Sequence, residues 1–176
     1  MGKITTAQIV ASFEEIIGWP YPPKDKNGNY SSGATDDRGK DPIFGVDCSG
    51  AFVRAYQKYG LTIAHGSNSI FRQHCSATGL IGGNVSRLKV GMAVFKQRLD
   101  GMEPDKFKGD GTGNMYHIGM VTSTSPLRIV HATTPAAKAD TSLSNWTHYG
   151  WLKDEIIAPR LRLASVPRRM LLHHPM

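Results

Sequence analysis

Val46-Asp47-Cys48-Ser49-Gly50-Ala51-Phe52-Val53 is the stretch on which the reading of this chain turns. It opens a helix with a cysteine. The first N–H groups of a helix have no intrahelical partner and point out of its end, so negative charge is favoured there. The thiolate is the attacking form of cysteine, and such a position predicts a lowered thiol pKa, roughly 3.5–7.5 at sites of this kind. Asp47 is the expected N-cap, its carboxylate accepting from N–H groups two or three residues on. Phe52, Tyr56 and Tyr59 recur at helical spacing, Ala51 and Ala55 widen that face, and Gly60 is a C-terminal stop. A structural cysteine on an ordinary core helix fits the same residues. Two histidines further on separate the readings.

The bulk numbers bound the answer. A chain of 176 residues with 40% hydrophobic content is sized for one soluble domain with its own core. We expect a single catalytic domain over 1–165 and a basic tail over 166–176, where Arg168 and Arg169 lie. No apolar run approaches the length of a membrane span, so no membrane insertion is expected. Met1-Gly2-Lys3-Ile4-Thr5-Thr6 lacks the apolar core of a signal peptide. The formal net charge of +7 favours an anionic partner. Nucleic acid is not expected: no recognition-helix, finger or RNP-like pattern is present, and aromatic and basic residues are not interleaved. The two cysteines are Cys48 and Cys75. A bridge between them would silence Cys48. His74-Cys75 raises a zinc reading, but neither cysteine stands in a paired spacing such as C-x-x-C. No metal and no other cofactor is expected.

Taken in order, residues 4–17 read as an amphipathic helix capped at Thr5 or Thr6, with Ile9, Val10, Phe13, Ile16 and Ile17 as its stripe. Trp19-Pro20-Tyr21-Pro22-Pro23 reads as extended, and 24–45 as a long polar loop. A second helix is expected over about 67–78, with Cys75 facing inward, then a strand over Val90 to Phe95 and a Gly-rich loop from Leu99 to Asn114. Met115 to Val121, with His117, and Arg128 to Ala132, with His131, read as strands joined by a hairpin through Ser125-Pro126. Trp146 to Trp151 reads as an aromatic loop, and Ile156 to Leu163 as a closing strand. Helical periodicity before residue 80 and β-like runs after it predict an α+β fold, helices packed on a mostly antiparallel sheet.

A helix-start cysteine, a histidine on one strand and a histidine on the next is what cysteine catalysis requires. One imidazole takes the thiol proton and returns it to the leaving amine, and a third group holds that imidazole in the right tautomer.

In these pieces the chain resembles the NlpC-type cell-wall cysteine peptidases, which have a papain-like fold. Asp47-Cys48-Ser49-Gly50 matches the nucleophile motif, Gly18-Trp19-Pro20-Tyr21 looks like the tyrosine-bearing segment, and Leu88 to Phe95 is similar to the family's first strand. His117-Ile118-Gly119-Met120-Val121 looks like the base-bearing strand and Ile129-Val130-His131-Ala132 like the orienting one. The resemblance spans about 18–132. It implies Cys48 as nucleophile, His117 as base and acid, and His131 as the orienting group. Tyr21 would stand beside the sulfur, and Asp47 and Ser49 would help bind a stem peptide. The implied substrate is bacterial peptidoglycan, cut between γ-D-glutamate and the following diamino acid. A Cys/His N-acetylmuramoyl-L-alanine amidase would use the same chemistry, and a non-catalytic basic wall-binding module is the reading from another class. The chain departs from the family at Pro22-Pro23, at the polar insertion that follows, and at Gly91-Met92, where Gly-Asp is usual. With no export signal read, delivery by phage lysis or an injection machinery is expected.

Overall fold

Helix α1 (Thr6–Glu15) begins where Thr5 and Gln8 satisfy each other's backbone: Gln8 N–H donates to Thr5 Oγ1 at 3.1 Å, and Thr5 N–H to Gln8 Oε1 at 2.9 Å. Its Ile9 and Phe13, with Ile16 at the C-cap, are buried as the stripe predicts, whereas Val10 is half-buried and Ile17, past the end of the helix, is exposed. Helix α2 (Cys48–Gln57) is capped by Asp47 and buries Ala51, Phe52, Val53, Ala55 and Tyr56. Phe13 and Phe52 meet edge to face at 4.7 Å, so the two helices share one apolar seam. The computed structural model describes residues 4–29, 45–152 and 157–158. The expected domain boundary at 165, the tail 166–176, most of the 24–45 loop and most of the closing strand lie outside these residues.

The expected helix over 67–78 is shorter and ends differently. Ser67–Ser69 (α3) is one turn, Ile70–His74 widens into a π-turn, and Cys75–Leu80 is strand β2. Tertiary contacts override the local pattern. Asn68 Oδ1 accepts from the N–H of Met115, tying the turn to a strand far along the chain. Gly79 lies so close to the Tyr149 ring that a Cβ there would be 2.6 Å from its hydroxyl. Cys75 is therefore buried in a strand, not on a helix.

The other strands are β3 (Ala93–Arg98), β4 (Asn114–Thr124), β5 (Leu127–His131), β6 (Lys138–Asp140) and β7 (His148–Leu152). With β2 they form a six-stranded sheet of order β2-β7-β3-β4-β5-β6, antiparallel at every pairing. The hairpin through Ser125-Pro126 is present. The stretch expected as an aromatic loop contains β7, which lies inside the sheet between β2 and β3. A short strand, β1 (Ile4–Thr5), pairs in parallel with β8 (Ile157–Ala158), the described part of the expected closing strand.

One face of the sheet, including Phe95, Ile118, Met120 and Val130, packs on the helices. The other, with Val94, Val121 and Ile129, is covered by Ile81, Leu88, Met92 and Trp146. The architecture is α+β with helices on a mostly antiparallel sheet, as the periodicity predicts. Among the described residues, no helix is long and apolar enough to cross a membrane.

Candidate active site

The site forms where β5 stops short. Pairing between β4 and β5 runs from Thr124↔Leu127 to Met120↔Val130, and β5 ends at His131. On the adjoining part of β4 the N-terminus of α2 comes in. The backbone N–H groups of Ser49 and Ile118 both face the Cys48 sulfur. Ile118 follows His117 on β4, so a backbone N–H next to the expected base faces the thiol.

The helix start is built as the sequence predicts. Asp47 Oδ1 accepts from Gly50 N–H at 2.6 Å and, more weakly, from Ser49 Oγ at 3.5 Å. Asp47 and Ser49 are 6% and 5% exposed, so these contacts are with the helix itself. Upstream, Val46 N–H donates to Pro20 O at 3.2 Å, and Tyr21 N–H to Pro135 O at 3.1 Å. The Tyr21 segment is thereby clamped between the lead-in to Cys48 and the chain entering β6. Gly45 permits this approach: it has φ 147°, and a Cβ there would sit 2.7 Å from Pro20 O. Tyr21 and Cys48 pack against the same core cluster.

The expectation of a lowered thiol pKa is corrected. Burial, and then the neighbouring Asp47 carboxylate, push the Cys48 thiol up to about 12. Partial charges at the helix start do not offset both effects. Cys48 and Cys75 are both free thiols, so no bridge silences the nucleophile.

His117 and His131 are brought together as expected. His117 Nε2 lies 2.7 Å from His131 Nδ1, with the rings edge to face at 5.0 Å. Gly119 makes this possible. A Cβ there would lie 2.9 Å from the Trp146 ring, 3.0 Å from Ile129 and 3.2 Å from the His131 Cβ. The glycine of the His117-Ile118-Gly119 run thus clears space for the histidine pair.

Two members of the site were not found from sequence. Asp140 Oδ1 lies 3.0 Å from His131 Nε2, off the axis of the ring N–H. Its other oxygen, Oδ2, accepts from the Trp146 indole N–H at 3.0 Å. The Trp146 ring stacks on His117 at 5.6 Å and meets His131 edge-on at 5.1 Å. The available signal was parity: His131 pairs with Lys138 and Ile129 with Asp140, so Asp140 shares the face of His131 once β6 folds back. A three-residue strand is too short to announce itself in sequence.

Electrostatics make the line neutral except at its end. Burial, then the neighbouring His131 and Lys96, hold His117 down at about 3. Burial also lowers His131, outweighing Asp140. Burial pushes Asp140 up, but the close contact with His131, the charge of His131, the hydrogen bond from Trp146 and the charge of Lys138 outweigh it and leave a carboxylate. An anion at Asp140 selects N–H at His131 Nε2. His131 Nδ1 is then an acceptor and takes the N–H of His117 Nε2, which leaves His117 Nδ1 unprotonated. Among the described contacts no hydrogen bond joins that ring to the sulfur; the raised thiol and the lowered imidazole both rest neutral.

Among the described residues no group of three His, Cys, Asp or Glu side chains is placed to hold a metal ion. His74 Nε2 accepts from Ala64 N–H at 3.2 Å, and Cys75 packs against β7 at Gly150.

No protein-family model and no curated protein matches the sequence. Solved structures do match it. The P60 domain of an antigen from M. avium paratuberculosis superposes with a TM-score of 0.51 at 15% identity, over 84% of this chain and 92% of that one. A protein similar to a lipoprotein of the NLP/P60 family, from Staphylococcus aureus subsp. aureus Mu50, has a TM-score of 0.49 at 14% identity, over 88% of this chain and 42% of that one. The first superposition shows the fold: the sheet and the helix-start cysteine sit in the same α+β, papain-like fold as that P60 domain.

Proposed function

We propose that the chain is a cysteine peptidase of bacterial peptidoglycan, cutting the γ-D-glutamyl–diamino acid bond of stem peptides. The observation that carries the reading is the Asp140–His131–His117 line ending one residue from the backbone N–H that faces Cys48. As substrate enters, the Cys48 proton passes to His117 Nδ1 and the sulfur bonds to the scissile carbonyl carbon. The oxyanion is held at the start of α2, with Tyr21 alongside. The C–N bond then breaks, and His117 returns the proton to the departing amine. Water, losing its proton to His117, attacks the thioester, and Cys48 leaves as a thiol. His131 and Asp140 keep His117 in the tautomer with Nδ1 open, and Trp146 holds the rings in place. Because both partners rest neutral, the proton moves as sulfur attacks and not beforehand. Delivery to the wall by phage lysis or an injection machinery belongs to the same reading.

Digestion of purified muropeptides followed by mass spectrometry tests it. The expected products carry a new γ-D-glutamyl carboxyl end, and Cys48→Ala gives none while keeping the fold. Release of stem peptides with a free L-alanine amine would make the enzyme an amidase. Full activity of folded Cys48→Ala would end the peptidase reading.

A further inference from the structure

On the sheet face that carries His117, a cleft of about 370 Å³ opens between β3, β6 and the turn after β6. Lys96, Lys138, Asp140, Thr141, Ser144 and Asn145 line it. Lys96 is the cross-strand partner of His117, so the two side chains stand on one face with Cβ atoms roughly 4.5–5.5 Å apart. The Lys96 ammonium rests 4.7 Å over the Trp146 ring, and among the described residues it pairs with no carboxylate. Asp140 is committed to His131 and Trp146, with Lys138 at 3.8 Å. Two ammonium groups therefore face one carboxylate that is already engaged, and the cleft is left with uncompensated positive charge. Its wall is held in place: Trp146 N–H donates to Leu143 O at 3.0 Å, and Asn145 adopts φ 65°, a left-handed conformation that side-chain-bearing residues rarely take.

The direction of the chemistry gives this cleft a use. The departing amine must come within reach of His117 to be protonated, so the residue bearing that amine lies beside His117. Its substituents fall within reach of the neighbouring Lys96. We infer that the cleft is the subsite for a carboxylate carried by the leaving-side residue of the substrate, met by Lys96 first and by Lys138 at the rim. This inference rests on the peptidase reading and narrows it, from any stem peptide to those with an anionic group after the scissile bond.

The test uses three soluble muropeptides that differ only after the scissile bond. One has free carboxylates, one is amidated at the side-chain carboxylate of the diamino acid, and one is amidated at the chain end. Hydrogen bonds to charged groups are strong enough for about a tenfold effect. The wild-type protein is expected to cleave one amidated peptide about tenfold less efficiently, through KM, and the peptide affected identifies the carboxylate. Lys96→Gln brings that ratio close to one, and Lys138→Gln reduces it. Equal kcat/KM on all three peptides, or a preference that survives both variants, overturns the inference while leaving the peptidase reading intact. Calorimetric binding of the same peptides to Cys48→Ala reads the cleft without turnover. Absence of cleavage together with carboxylate-dependent binding would strike the peptidase reading instead.

Discussion

Replacing Asp140 by Asn probes the tautomer line with almost no change of shape. Asp140 offers one oxygen to His131 Nε2 at 3.0 Å and the other to the Trp146 indole at 3.0 Å. Asn has one oxygen. If that oxygen serves Trp146, the NH2 group faces His131 and selects N–H at Nδ1 instead of Nε2. His117 Nε2 must then accept, its proton moves to Nδ1, and the nitrogen meant for the thiol is blocked. If the oxygen serves His131, the buried indole N–H faces a donor. An unsatisfied buried polar group costs about 1–3 kcal/mol, so kcat should fall about 5- to 150-fold at ~1.36 kcal/mol per decade. Asp140→Ala imposes no wrong donor and should retain more kcat than Asn, at a greater loss of thermal stability. Steady-state kinetics on a soluble muropeptide gives kcat and KM, and imidazole nitrogen NMR reads the tautomers, Nε2–H at His131 in the wild type and Nδ1–H in Asp140→Asn. An Asn variant with wild-type kcat and an altered His131 tautomer would refute the argument.

The raised Cys48 pKa predicts slow iodoacetamide labelling near neutrality, rising without a plateau below about pH 9, and faster labelling in Asp47→Asn; a plateau near neutral pH would mean a preformed ion pair. Acid should destabilise the fold. His117 is lowered from 6.5 to about 3, so the unfolded chain binds protons more readily between those values, and stability complete above about pH 6.5 is lost as pH falls toward 3, by at most about 5 kcal/mol. Urea melts of wild type and His117→Gln across that range measure it, and parallel profiles would contradict it. Gly119→Ala should cost roughly 1–3 kcal/mol by overpacking and lower activity by parting His131 from His117, with a melting curve and a turnover assay as the checks. His131→Gln should keep measurable turnover because its amide oxygen can accept from His117, whereas His117→Gln should be nearly inactive; the reverse order would exchange their roles.

The parts of this protein legible in its sequence are those governed by neighbours in the chain. Asp47 before Cys48 marks a helix start because a cap acts within three residues. His117 and His131 are legible as strand residues because period-two alternation and a Ser-Pro turn are local patterns. The segregation of helical from β-like periodicity was enough for α+β. What tertiary structure decided depends on residues far apart in sequence. Cys75 belongs to a strand because β2 finds β7, and His148–Leu152 is an interior strand because β2 and β3 flank it. Asp140 joins the histidines only once a three-residue strand returns alongside β5. The direction of the Cys48 pKa is set by tertiary structure for the same reason. The helix start that favours a thiolate is local, while the burial that opposes it comes from packing α2 onto β4, and at this sulfur burial outweighs the helix.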